Sequence, residues 1–157
     1  MKTILQNTIG LLAIACMWTA CDKGCVADAQ RFIHPDGWHK DSIATMSLLL
    51  TDTVHYCDVI LTLRHDDDYP YSNLILSVTA TAPSGVTACD TVEYRLTGEQ
   101  EVWTGKKGGR WIDARLGFRR HVHFTQSGLY TFAIAHLMRN ETLPSVGAVG
   151  VRIEQRD

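Results

Sequence analysis

The chain has 157 residues, 45% of them hydrophobic, with 15 basic and 17 acidic side chains and a formal net charge of −2. That length suits one domain with a sizeable core. The balanced charge, with no long basic run, argues against nucleic acid as a partner, and no segment after residue 21 is long and apolar enough to span a membrane as a helix.

The first element is a targeting segment. Lys2 precedes an apolar stretch from Ile9 to Trp18, followed by Thr19-Ala20-Cys21-Asp22-Lys23. A basic start, a short apolar core and a small residue before the cut are the parts of a secretory signal. A cysteine at the cut can take acyl chains and become the first mature residue, so residues 1–20 read as a lipoprotein signal peptide and Cys21 as the lipidation site. Cys16, preceded by Ala13-Ile14-Ala15, is the rival position. A cleaved soluble signal and an uncleaved anchor are the other two readings of this segment. Stable anchoring by lipid takes at least two chains, each buried methylene adding roughly 0.8 kcal/mol. A lipidated Cys21 would hold the domain on a membrane with no spanning element.

Residues 21–37 show no clear periodicity and end in His34-Pro35-Asp36-Gly37, so they read as a tether leading into a domain at 38–157. From there strand signals dominate. Asp41 to Leu50 fits a helix or a strand. Cys57, Val59, Leu61 and Leu63 alternate with Asp58, Ile60, Thr62 and Arg64. Leu74, Leu76, Val78 and Ala80 alternate with Asn73, Ile75, Ser77 and Thr79. Val92, Tyr94 and Leu96 follow, then Ile112, Ala114, Leu116 and Phe118, then Tyr130, Phe132 and Ile134. Ala135 to Leu143 has room for a helical turn, and Val149, Val151 and Ile153 close the chain. Period-two alternation means one buried and one wet face per strand. Six to eight such strands, punctuated by Pro83-Ser84-Gly85, Gly98, Gly108-Gly109 and Gly128, predict an all-β antiparallel sandwich, jelly-roll-like, with at most short helical turns.

The cysteines leave two readings open. Cys57 and Cys89 are the more plausible disulfide pair in an oxidising envelope, and three small apolar side chains are the alternative. No Cys-x-x-Cys pair points to zinc.

Candidate chemistry is thin. His121-Val122-His123 places two imidazoles on one strand face, about 6–7 Å apart at the backbone, without an obvious third ligand. His65-Asp66-Asp67-Asp68 lacks the alternation and glycine of a calcium loop and reads as a solvated turn. No Gly-x-Ser-x-Gly elbow occurs. The sequence therefore predicts no catalytic residue, no metal and no cofactor. Trp103-Thr104-Gly105-Lys106-Lys107-Gly108-Gly109-Arg110-Trp111 is more suggestive: two indoles flank a basic, glycine-rich loop. Such rings stack on sugars or anchor protein contacts, or one of them caps the core. Tyr69 and Tyr71 flank Pro70 either as a hairpin corner or as an exposed contact. Tyr69, Tyr71, Trp103, Trp111 and Arg110 are the candidate interaction surface.

Several blocks in order resemble the gliding motility lipoprotein GldH family of Bacteroidota. They are Cys21-Asp22-Lys23, Trp38-His39-Lys40-Asp41-Ser42, Leu63-Arg64 and Asp68-Tyr69-Pro70-Tyr71-Ser72-Asn73-Leu74. Asp90-Thr91-Val92-Glu93-Tyr94, Trp103-x-Gly105-Lys106, Gly128-x-Tyr130, Met138-Arg139 and Val149-Gly150-Val151-Arg152-Ile153-Glu154 continue the series. Lys107, Arg110-Trp111 and His136 depart from the family pattern. The resemblance covers residues 21 to 154. It implies a non-enzymatic envelope lipoprotein, lipid-anchored at the outer membrane, whose partners are other proteins of the gliding motility and type IX secretion machinery. A cell-surface carbohydrate-binding module is the alternative.

Overall fold

The computed structural model describes residues 24–156. It contains eleven strands among the described residues: β1 (Cys25–Phe32), β2 (Trp38–His39), β3 (Ala44–Leu50), β4 (Tyr56–Asp66), β5 (Asn73–Thr81), β6 (Thr87–Arg95), β7 (Lys106–Gly108), β8 (Trp111–His123), β9 (Gly128–His136), β10 (Thr142–Leu143) and β11 (Val146–Gln155). A five-stranded sheet runs β1-β11-β4-β8-β7, a four-stranded sheet runs β3-β9-β5-β6, and β10 pairs with β2. Every pairing is antiparallel.

The two large sheets pack their apolar faces together. Leu61, Leu63, Val151 and Ile153 come from one, and Leu48, Leu74, Leu76 and Ile134 from the other; all belong to a single core cluster. Residues predicted to point inward on β4, β5, β9 and β11 do so, Ala80 only partly buried at the end of β5. At one open side β6 leans on β8: the Tyr94 hydroxyl donates to the Gly117 carbonyl (3.1 Å), and Arg119 pairs with Asp90. At the other, β1 runs alongside β3.

Two expectations need correction and two open readings are resolved. The stretch read as a tether is partly β1, an edge strand zipped to β11 with Val26, Ala27 and Ala29 against the core. A register shift between Cys25 and Ala27 breaks the alternation and hides the strand from a period-two reading. Asp41–Leu50 resolves to strand β3, whose Ala44, Met46, Leu48 and Leu50 alternate buried with exposed neighbours. Ala135–Leu143 forms no helical turn; the chain continues β9, bends and enters β10. Cys57 is buried on the five-stranded sheet, while Cys89 is exposed on β6 of the four-stranded one, so both thiols are free. Cys21 and Cys16 lie outside the described residues.

The sandwich has two distinct ends. Gly24 sits beside Gln155, which donates to its carbonyl (2.7 Å), and the connections 51–55, 82–86 and 124–127 gather at this near end. The start of β2, the β4–β5 turn and the β7–β8 hairpin lie at the far end.

Candidate functional site

The five residues singled out from sequence converge on the far end, but most of their surface is already spent. The carbonyl of Asp66 accepts from the Tyr69 amide (3.2 Å) and from His65 Nδ1 (3.0 Å), which fixes the acidic turn. That turn drives Tyr69 inward to 3% exposure, where its hydroxyl donates to the Asn73 carbonyl (3.0 Å). Burial pushes the Tyr69 hydroxyl above the usual tyrosine range. Trp103 meets His65 at 4.8 Å and Tyr69 at 6.2 Å, both edge to face, and Tyr71 meets Tyr69 at 6.0 Å and 75°. The Tyr71 hydroxyl donates to Asn140. Tyr69 is thus a core residue rather than a contact surface, and Trp103 and Tyr71 are half-buried supports. Their edge-to-face angles form no flat row of rings.

The basic loop between the tryptophans is a hairpin of β7 and β8, not a free loop. Trp111 lies across from Asp66 and rests on Gly147, where a Cβ would come within 2.7 Å of the indole. Arg110 stacks on Trp111 at 5.3 Å and pairs with Asp66 (2.5 Å), while Lys107 reaches Asp67 (2.5 Å). Burial raises the Asp66 carboxyl, but Arg110, the Ser145 hydroxyl and the Asp68 amide outweigh it and hold the group below the usual carboxylate range. The acidic turn that could have offered oxygen ligands is committed to these pairs. Arg110 and Trp111 remain the accessible part of the predicted surface.

His121 and His123 do share a face, at the near end, where both rings lie against Tyr56 at 4.2 and 5.4 Å. His121 takes a positive φ of 59°, and His123 Nε2 donates to the Thr53 carbonyl (2.9 Å). Among the described residues no three His, Cys, Asp or Glu side chains form a metal-binding group.

The contrast that sequence reasoning missed lies between the two outer faces. On the five-stranded sheet a ladder of ion pairs crosses four strands. Arg64 grips Asp113 (2.7 and 3.0 Å), Arg115 reaches Glu154 (2.6 Å), and Arg152 bonds both Glu154 (2.6 Å) and Asp28 (3.0 Å). Arg64 holds the Asp113 carboxyl low, and Arg115 does the same for Glu154.

The outer face of the four-stranded sheet carries Thr45, Ser47 and Leu49 from β3 and Leu129, Thr131, Ala133 and Ala135 from β9. Ile75, Ser77, Thr79 and Thr81 come from β5. Ser47 and Thr131 share a hydroxyl hydrogen bond (3.0 Å), and Leu49 lies directly across from Leu129. Ile43, Leu49, Leu129 and Leu137 are 49 to 64% exposed. Charge enters only through Glu93 and Arg95 on the β6 margin. The signal was present in the sequence: residues 43–50, 73–81 and 129–137 contain no Asp, Glu, Lys or Arg.

The GldH lipoprotein family profile matches residues 26–153, which reaches into every strand of both sheets. The chain belongs to the GldH lipoprotein family. A gliding motility lipoprotein GldH homolog of Christiangramia forsetii is 33% identical over 148 residues, covering 90% of each chain. Gliding motility lipoprotein GldH of Flavobacterium johnsoniae is 31% identical over 160 residues, covering 98% of this chain and 99% of its own. Among solved structures, a family GH115 4-O-methyl-α-glucuronidase with specificity for decorated arabinogalactans overlays 87% of this chain and 18% of its own, at 14% identity and a TM-score of 0.47. That likeness is too loose to carry a conclusion. The GldH match includes β1, so the strand first read as tether is part of the family domain.

Proposed function

We propose that this chain is a lipid-anchored outer-membrane lipoprotein of the gliding motility and type IX secretion machinery, held through Cys21, which works by binding another envelope protein and not by catalysis. Membership of the GldH family supports the setting. The observation that carries the binding role is the uncharged outer face that β3, β9 and β5 form on the four-stranded sheet. Its short hydroxyls, alanines and exposed leucines can be covered without stripping water from charges. Interface cores are depleted in charged residues for that reason. The opposite face has already satisfied its charges internally. The partner surface that fits is likewise uncharged and flat, and belongs to a neighbouring envelope protein.

A photocrosslinking amino acid placed at Ser47, Thr79 or Ala133, one position at a time, tests this in native membranes. The expected outcome is one identified envelope protein captured from these positions and not from Arg64 or Asp113. Capture only from the ion-paired face would overturn the surface assignment. A domain that gave no protein adduct from either face yet bound a defined glycan on an array would replace the reading with carbohydrate binding.

A further inference from the structure

The near end differs in chemistry from every other part of the rim. The connections 51–55, 82–86 and 124–127 contain one charged residue, Asp52. That carboxylate is tied down by the Val54 and His55 amides and by the His55 ring (2.6 Å), which together lower it to about 2. Val54 in the first of these connections and Val86 at the end of the second have 74 and 69% of their surface exposed, and Tyr56, against the histidines His121 and His123, is 47% exposed. Asp58, the next carboxylate inward, is held by Arg156 (3.3 Å) and the His121 amide (2.8 Å). Far-end connections are built differently. They and the strand ends beside them carry Asp66, Asp67 and Asp68, Glu99 and Glu101, Lys106, Lys107 and Arg110, and Arg139 and Glu141.

This apolar end is also where the chain enters. Gly24 lies against Gln155, next to Cys57 and Tyr56. Cys21 precedes Gly24 by three residues. Three residues of fully extended chain reach no more than about 11 Å. Acyl chains on Cys21 in a bilayer would keep this end within reach of the headgroups, and its side chains then decide whether it docks there. Exposed valines and a tyrosine with a polar tip are the side chains that partition into that layer.

We propose that the near end is a membrane-docking surface. Val54, Val86 and Tyr56 enter the lipid interface beside the anchor and stand the sandwich upright, with the Arg110 and Trp111 end pointing away from the bilayer. The inference rests on the reading of Cys21 as the lipid-bearing residue and adds an orientation to it. An upright domain leaves both outer sheet faces open sideways, including the uncharged one.

The test uses the full-length lipoprotein purified from membranes and reconstituted into phosphatidylethanolamine and phosphatidylglycerol vesicles carrying headgroup nitroxide. A genetically encoded environment-sensitive fluorophore replaces Val54, Val86 or, as the far-end reference, Gly108. Intact mass reports acylation of each sample. The expected result is an acylated chain with at least threefold stronger quenching at 54 and 86 than at 108. A companion variant, Val54→Asp with Val86→Asp, read from a fluorophore at position 126, loses most of the quenching that the same fluorophore shows in the parent chain while still acylated. An acylated chain with equal quenching at all positions, or with stronger quenching at 108, overturns the orientation and leaves the lipid anchor standing. A chain without acyl groups overturns the anchor and the docking surface together.

Discussion

The two outer faces of this sandwich have the same backbone geometry and opposite chemistry. On the five-stranded sheet the wet positions are filled by arginines and carboxylates that pair across strands, and Arg152 is held at both ends by Asp28 and Glu154. On β3, β9 and β5 of the four-stranded sheet the equivalent positions are uncharged, mostly threonine, serine, alanine and leucine. The difference is one of completion. The first face has its electrostatic partners within the chain, whereas the second presents surface that is cheap to dehydrate and has nothing over it among the described residues.

The comparison breaks most sharply at glycine. Gly150 lies between β1 and β4, and a Cβ there would come within 2.5 Å of the Thr62 hydroxyl and 2.7 Å of the Ala29 carbonyl. Gly150→Val should therefore cost about 3 kcal/mol through overpacking against backbone that cannot retreat. Ala133→Val, at a central wet position of the other sheet, should shift stability by no more than about 0.5 kcal/mol. Urea unfolding of the two variants reads the contrast directly. Equal losses would mean that the four-stranded face is as tightly built as its counterpart.

Acid should separate the sheets' interiors from their surfaces. Each sheet buries one histidine at the far end: His65 on β4 and His136 on β9, at 0 and 2% exposure. His65 Nδ1 donates to the Asp66 carbonyl and His136 Nε2 to the Trp38 carbonyl (2.9 Å), leaving His65 Nε2 and His136 Nδ1 buried without partners. Burial lowers the pKa of both rings. The unfolded chain therefore takes up these protons first as pH falls. Stability is complete above the unfolded histidine value of about 6.5 and declines below it, by at most about 1.4 kcal/mol per pH unit for each ring. The surface carboxylates Asp113 and Glu154 are depressed, so their contribution holds above about 4 and is lost only as pH falls further, through their folded values. Denaturant midpoints across pH 4 to 8 should show the earlier decline, and His65→Leu should flatten it. A profile level from 8 down to 4.5 would contradict this account.

How much of this was readable beforehand differs between fold and surface. Inward positions of β4, β5, β9 and β11 were legible because alternation is local and apolar residues recur at every second position. β1 was not, since a bulge at its start breaks the period. Tyr69 and Trp103 stayed open between packing and contact, because the burial of Tyr69 depends on the Asp66 turn and the support of Trp103 is His65, 38 positions earlier in the chain. The charge-free stretches were in plain sight, but they acquire meaning only once β3, β9 and β5 are known to be neighbours. Strand order is a long-range property that alternation does not encode.

The ion-pair ladder offers a smaller test of the same contrast. Arg152 is 11% exposed, so its bonds are better shielded than those of an ordinary surface pair. Arg152→Met keeps most of the stem and removes the guanidinium. A loss of about 1–2 kcal/mol is expected, with Glu154 still partnered by Arg115. Thermal unfolding at low and high salt checks it. A variant indistinguishable from the parent would reduce the ladder to decoration.

The gentlest probe is a native thiol. Cys89 lies exposed on the outer side of β6, level with Thr79, and the hydroxyls of Thr79 and Ser77 hold its thiol below the usual value. Cys57 is buried, and burial raises its thiol. In the isolated folded domain Cys89 should therefore react with a maleimide at least a hundredfold faster than Cys57, with no measurable change in stability. In intact membranes the same reaction becomes a footprint. If an envelope protein covers the four-stranded face, Cys89 alkylation slows several-fold and recovers when the membranes are dissolved in detergent that separates the complex. If Cys89 reacts equally fast in both settings, whatever docks on this sheet stops short of β6, and the contact narrows to the Leu49 and Leu129 side of the face.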